Sequence, residues 1–237
     1  MIISSLYKSY MSKKISLPVL DDFNLSIAPK SIVALVGPSG CGKTTLLKII
    51  GGIESSDSGQ IVREEGEEGN VSFLFQEPRL FPWLSILKNI TIVLRPYVEG
   101  EKKREVIAKE YLELVELGEY MNLTPPQLSG GMRQRVSIAR SFAFPSNIML
   151  LDEPFQSLDA KLRWSLVDSF THLYERDQKT TLFVTHDIHE ALLLADVVVQ
   201  LSKSPMKVEK TLPIDIKREK RSLNDPSLVA LINNFYT

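Results

Sequence analysis

Apolar residues fall along this chain in two rhythms. Short runs rich in β-branched residues (Ser31-Ile-Val-Ala-Leu-Val36, Ile148-Met-Leu-Leu151, Thr180–Thr185 and Val197–Leu201) have the length and composition of buried strands. Ile2–Tyr7, Val19-Leu20, Phe23–Ile27, Gly59–Val62 and Val71–Phe75 add further strands, and the acidic stretch 63–69 reads as a turn. Thr45–Ile50, Arg133–Phe144, Asp159–Asp177 and Ile188–Ala195 read as helices. Residues 83–145 are predicted to be mostly helical, with Glu101–Leu117 turning Val106, Tyr111, Leu114, Val115 and Leu117 away from a charged face. After Asp152 helix and strand alternate, which predicts a parallel sheet covered by helices.

The strand ending at Val36 runs into Gly37-Pro38-Ser39-Gly40-Cys41-Gly42-Lys43-Thr44-Thr45, and a helix follows. Gly37 to Thr44 fits G-x-x-x-x-G-K-[ST] in the strand–loop–helix context that this phosphate-binding motif requires. The glycines let backbone N–H groups turn inward, and the helix N-terminus adds partial positive charge. Lys43 is expected to reach the β- and γ-phosphates, and the Thr44 hydroxyl to ligate Mg²⁺. Cys41, at a variable position of the motif, reads as a small filler. If its thiol lies open in the cradle, a thiol reagent blocks nucleotide binding and ATP protects.

Ile148–Leu151 ends in Asp152-Glu153-Pro154, placing two carboxylates at the C-terminal edge of a strand, where open α/β sheets bind ligands. Asp152 is expected to hold Mg²⁺ directly or through water, and Glu153 to polarise an attacking water. Ser129, in Leu128-Ser129-Gly130-Gly131-Met132-Arg133-Gln134, stands where a helix N-cap would stand. Of the three histidines, His186 alone caps an apolar strand at the ligand edge; His172 and His189 fall in helical stretches and read as solvated or packed.

Together these stretches resemble the ABC (ATP-binding cassette) ATPases. The resemblance runs from about Ile2 to about Leu201 and implies an α/β fold: a P-loop NTPase core with a mainly parallel sheet, a small antiparallel β lobe and an inserted helical subdomain. One domain over 1–237 is expected, with 1–82 and 146–205 as core and lobe, 83–145 as helical subdomain and 206–237 as a C-terminal tail. The resemblance makes Ser129-Gly130-Gly131 the signature motif that clamps the γ-phosphate held by the other subunit. It makes Gln76 the Q-loop glutamine, which contacts Mg²⁺ and faces a membrane partner. It also makes Asp159, in Ser157-Leu158-Asp159, part of the D-loop, and His186 the H-loop histidine at the γ-phosphate. Tyr10 is the A-loop aromatic on adenine, with Tyr7 as the alternative. ATP and Mg²⁺ are the implied cofactors, and a homodimer with two sandwiched nucleotides the working unit.

Composition constrains the partners. The net charge of −1 over 237 residues gives no field for nucleic acid. One cysteine excludes an internal disulfide and suits a reducing cytoplasm. No apolar stretch approaches the roughly 20 residues needed to cross a bilayer, so the resemblance implies a separate ATPase subunit, peripheral on the cytoplasmic face of the membrane. It would work with transmembrane permease subunits and, through them, with an extracytoplasmic solute-binding protein. Gln76–Trp83, Gly131–Arg135, Asp152–Ala160 and Pro213–Ile216 are similar to the bacterial importer branch for nitrate, taurine, aliphatic sulfonates and thiamine-precursor pyrimidines. Gln156 departs from the small residue usual there. An exporter or lipoprotein-release ATPase and a soluble non-transport ABC ATPase are the alternatives. The run Lys217-Arg-Glu-Lys-Arg221 reads as a solvated face, with membrane-surface contact as its alternative, and no built-in C-terminal regulatory domain is expected.

Overall fold

A computed structural model describes residues 1–12, 15–63, 69–156, 160–222 and 225–236. They fall into two compact units, one of residues 1–68, 150–153 and 180–237, the other of residues 69–149 and 154–179.

The first unit holds an antiparallel sheet of order β2-β1-β4, formed by β1 (Ile2–Ser12), β2 (Ile15–Ser26) and β4 (Ser58–Val62). The two early apolar runs are parts of the single strand β2. The larger sheet has the order β5-β6-β7-β3-β8-β9, from β3 (Ile32–Val36), β5 (Val71–Leu74), β6 (Ile148–Asp152), β7 (Thr180–Thr185), β8 (Val197–Leu201) and β9 (Val208–Pro213). β3 pairs in parallel with both β7 and β8, with Val36 opposite Thr185 and Gln200, so these strands deliver their C-terminal ends to one edge. Every residue of β3 and β7 is buried, as a parallel strand covered on both faces requires. Helix α1 (Lys43–Ile50) follows β3, and α6 (Ile188–Leu194) follows β7 with Asp187 as its N-cap.

The C-terminal segment corrects two expectations. It is no plain tail, because β9 extends the sheet antiparallel to β8 and α7 (Pro226–Tyr236) follows. The basic run is no uniformly solvated face either. Arg221 donates to the carbonyls of Leu192, Leu193, Ala195 and Ile216, and Arg218 to Leu194 O and the Asp196 carboxylate. These guanidinium groups satisfy the orphan carbonyls at the end of α6. Burial, with Arg218 adding, pulls the Arg221 pKa down to about 10, so it stays charged at neutral pH. Arg221→Met leaves those carbonyls unpaired and should lower stability by about 2 kcal/mol, read as a lower midpoint of thermal unfolding with unchanged nucleotide affinity.

The second unit contains α2 (Ile86–Leu94), α3 (Glu101–Leu114), α4 (Gly130–Ala143) and α5 (Ala160–Arg176), with short 3-10 turns at Gly118–Tyr120 and Pro125–Gln127. Val136, Ile138, Ala139 and Phe142 of α4 are buried, and Phe142 meets Phe170 edge to face with ring centres 5.2 Å apart. α3 corrects the expected face. Val106 is 56% exposed, while Ala108, Tyr111 and Leu112 point inward. The helix stops at Leu114, Glu116 takes a φ of 60°, and Val115 and Leu117 turn back into the core. Arg135 secures that end by donating to Val115 O and the Glu116 carboxylate.

Candidate functional site: a phosphate cradle and its carboxylates

The cradle forms because the loop after β3 has the backbone freedom to curl. Gly40 and Gly42 take φ values of 77° and 119°, where side-chain-bearing residues are strained. A Cβ on Gly42 would also lie 2.4 Å from Val19 Cγ1. Gly42 is the N-cap of α1, whose first turn holds no acidic residue, so its free N–H groups face an uncancelled positive end. Lys43 is buried, and its Nζ donates to Gly37 O at 2.7 Å and Pro38 O at 2.9 Å, which fixes the ammonium on the loop.

A cavity of about 320 Å³ lies against this loop, and its walls include Tyr10, Val19, Lys43, Thr44, Thr45 and Glu153. Of the two tyrosines considered for adenine, Tyr10 reaches the cradle: its hydroxyl lies 3.3 Å from Thr45 Oγ1 and donates to the Glu54 carboxylate. Tyr7 is not among that cavity's walls. Cys41 is the small filler the sequence suggests, and its thiol does not lie open in the cradle. It is 1% exposed, with Sγ 3.8 Å from Met206 Sδ, so a reagent reaches it only if the loop opens. A second cavity, of about 720 Å³, reaches Gly37, Ser39 and His186 from the side of β8, β9 and Phe235. Nothing in the sequence signalled it, because its walls come from segments far apart along the chain.

β6 brings its carboxylates to this edge. The Thr44 hydroxyl donates to Asp152 Oδ1 at 2.9 Å, joining the two oxygen donors expected to hold Mg²⁺. Burial raises the Asp152 pKa above the ordinary carboxylate value; the Thr44 bond lowers it in part, and the neighbouring Glu153 charge raises it again. Glu153 takes a φ of 47° and donates its N–H to Val184 O, which turns its side chain out of the strand's alternation. Its Oε2 is buried without a hydrogen-bond partner and lies 3.4 Å from His186 Nδ1. A buried acceptor without a hydrogen bond costs about 1–3 kcal/mol. Two oxygen donors beside a phosphate cradle suit Mg²⁺, which takes one or two carboxylates together with phosphate oxygens and water.

Because burial penalises the Asp152 carboxylate, its folded pKa lies above the unfolded one. The folded state then binds the extra proton, and the favourable contribution is lost as pH rises past the ordinary value of 3.8. Asp152→Asn, whose amide oxygen can still accept from Thr44, should therefore raise the unfolding midpoint at neutral pH without Mg²⁺. The gain should shrink towards pH 3.8, Mg²⁺-nucleotide should no longer stabilise the variant, and hydrolysis should be lost.

In the second unit, Ser129 caps α4, its Oγ accepting from Met132 N at 3.3 Å, and Ser129 and Gly130 are exposed. A Cβ on Gly131 would fall 2.3 Å from Leu162 Cδ1, so a side chain here would have to displace Leu162 of α5. Helix α4 starts three residues earlier than expected, at Gly130, so the glycines are its first turn. Gln76 is exposed and its Nε2 donates to Gln156 Oε1, a pairing the sequence reading did not foresee. Asp159, with Ser157 and Leu158, lies outside the described residues. His189 is half-exposed beside Asp187, and His172 is exposed.

The comparisons decide the family. The ABC transporter family model matches residues 20–156. The chain belongs to the ABC transporter family. It is an ATP-binding cassette and an ATPase. It is 42% identical over 213 residues to the aliphatic sulfonates import ATP-binding protein SsuB 2 of Pseudomonas syringae pv. tomato, covering 90% of this chain and 88% of that protein. It is 40% identical over 220 residues to the sulfate/thiosulfate import ATP-binding protein CysA of Gloeobacter violaceus, covering 90% of this chain and 63% of that one. Among solved structures, a dimeric ATP-binding cassette in a post-hydrolysis state with ADP and Pi superposes with a TM-score of 0.77 at 30% identity, covering 91% of this chain and 99% of that one. Among the described residues no helix is long and apolar enough to cross a membrane.

Proposed function

We propose that the chain is the ATP-hydrolysing subunit of a bacterial importer for a small solute of the nitrate, sulfonate, taurine or thiamine-precursor pyrimidine type, working as a homodimer beneath separate permease subunits on the cytoplasmic side of the membrane. The observation that carries the chemistry is Glu153 in the wall of the cradle cavity, its Oε2 buried without a hydrogen bond and 3.4 Å from His186 Nδ1. Each ATP would lie between the cradle of one protomer and Ser129-Gly130-Gly131 of its partner. Support comes from the exposed cap of α4 and from the dimeric relative with ADP and Pi.

Phosphate oxygens offer the Lys43 ammonium and the amides of Gly40, Gly42, Lys43, Thr44 and Thr45 charged acceptors. Glu153 accepts the proton of a water attacking the γ-phosphorus, while the bond to the β-phosphate oxygen breaks and ADP leaves. His186, beside Glu153, holds the attacked phosphate in line. Thr44 and Asp152 would hold Mg²⁺, which when bound neutralises phosphate charge. Loss of the bridging γ-phosphate would release the dimer, a bistable γ-phosphate switch of the kind other nucleotide machines use.

The named relatives import sulfonate and sulfate or thiosulfate, which favours that class; nitrate, taurine and thiamine-precursor pyrimidines remain within the same branch. An exporter or lipoprotein-release role and a soluble non-transport role have no observation in their favour. Pull-down of the tagged chain from its native cells in mild detergent tests the reading. A multi-span membrane partner encoded with a solute-binding protein is expected, and recovery with soluble partners alone overturns transport while leaving the ATPase intact.

A further inference from the structure

Among the described walls of the cradle cavity, Tyr10 alone is aromatic. It is carried by β1 and is 39% exposed, so packing does not fix its ring. Its hydroxyl is what is held. The phenol donates its one proton to the Glu54 carboxylate, which leaves Thr45 Oγ1, 3.3 Å away in the first turn of α1, to donate to the phenol oxygen. Burial, then the Glu54 bond, raises the Tyr10 pKa above 10.0, so that proton is present at neutral pH. Glu54 is itself fixed. It lies in the turn after α1, where the N–H groups of Ile53 and Glu54 donate to Lys48 O at 2.9 and 3.2 Å. That turn is tied to β1. Lys8 Nζ donates to Ser55 O at 2.7 Å and lies 3.5 Å from Glu54 Oε1, Asp57 N donates to Tyr7 O at 2.9 Å, and Asp57 Oδ2 accepts from Ser9 N at 2.7 Å. All of these residues belong to the first unit, and α1, the turn and β1 form one hydrogen-bonded frame around Tyr10.

We propose that Glu54 is a positioning residue for the nucleotide base: by accepting the Tyr10 hydroxyl, it holds the ring still as the face on which the purine stacks. A base stacks on an aromatic face with little regard for edge chemistry, so its affinity depends on that face being in place beforehand. The proposal rests on the reading of Tyr10 as the aromatic for adenine. It goes beyond that reading in making the tyrosine hydroxyl, and a carboxylate that touches no nucleotide, part of base binding.

The test uses the full chain, kept dilute, and titrates it with a non-hydrolysable ATP analogue and, separately, with inorganic triphosphate, which has no base. Tyr10→Ala should weaken the analogue by about tenfold or more, the worth of one base stacked on an aromatic ring. Tyr10→Phe, which keeps the ring and loses the tether, should weaken it about fivefold, as should Glu54→Leu, the worth of ordering one side chain. Glu54→Gln, whose amide oxygen can still accept, should bind to within about twofold of the parent. Tyr10→Phe with Glu54→Leu should be no worse than either alone, since the two act as one unit. Every variant should bind triphosphate as the parent does, which also shows that the cradle is folded. Parent-like binding of the analogue by Tyr10→Phe or Glu54→Leu, additive losses, no rescue by Glu54→Gln, or an equal loss for triphosphate overturns the proposal. If Tyr10→Phe is parent-like while Tyr10→Ala is weak, the tether is wrong and the stacking role stands. If Tyr10→Ala also binds the analogue as the parent does, the adenine reading of Tyr10 is itself wrong, and the proposal falls with it.

Discussion

Glu153→Gln should bind ATP, lose turnover by about 10²–10⁴-fold, the usual worth of a general base, and accumulate as an ATP-dependent dimer. The substitution keeps the shape of the side chain and leaves the N–H of residue 153 on Val184 O, so the turn holding the group survives. It removes a carboxylate oxygen in the cradle wall that is buried and without a hydrogen-bond partner among the described residues. It also removes a negative charge from the cradle wall, where the proposed function seats the γ-phosphate, so closed dimers should both form more readily and persist. Size-exclusion chromatography with and without ATP, beside a phosphate-release assay, reads both effects. A variant that turns over within about tenfold of the parent would take Glu153 out of the base role.

The second large effect is expected at Ser129. Ser129→Arg should abolish hydrolysis, by about 10²-fold or more if the donors it displaces act as an oxyanion site, while the monomer binds ATP with unchanged affinity. The reason is placement. Ser129 caps α4 in the second unit, and in the proposed function the nucleotide it serves is the partner's. Arginine there removes the cap, costing about 1 kcal/mol, and fills the space where the phosphate would seat. Equilibrium binding of a fluorescent ATP analogue to dilute protein, compared with steady-state hydrolysis at higher concentration, separates the two. Weakened binding by the monomer would place Ser129 in its own chain's site instead.

The parts of the site that were legible in the sequence are those where local chemistry dictates geometry. A buried β-branched strand, three glycines and Lys-Thr leave the segment Gly37–Thr45 little choice, and β6 ends in carboxylates because the run of apolar residues ends there. What was not legible has physical causes too. β9 is an edge strand with mostly exposed residues and no apolar rhythm, so it read as tail. Arg218 and Arg221 looked like a charge run because the carbonyls they satisfy belong to α6, more than twenty residues earlier. Val106 lies outside the core because α3 is so rich in charge that Ala108, a small residue, marks its inner face better than a valine does. Cys41 was read without depth, since a motif says where the backbone goes and not which side of the loop Met206 packs against. Gln156 stood out only as a departure, and the structure supplies a partner for it in Gln76.

The claim on which the rest depends is that ATP is held jointly by the cradle of one copy and the capped helix of another. It is tested most directly by disulfide trapping. The one native cysteine, Cys41, is 1% exposed and contributes little background. Chains carrying Ser39→Cys are mixed with differently tagged chains carrying Ser129→Cys, both in the Glu153→Gln background, and oxidised briefly with and without Mg²⁺-ATP. The account predicts a covalent band containing both tags that forms with ATP and not without it. Dimers that form with ATP but yield no mixed band, or a mixed band indifferent to ATP, would contradict a nucleotide shared between the two copies.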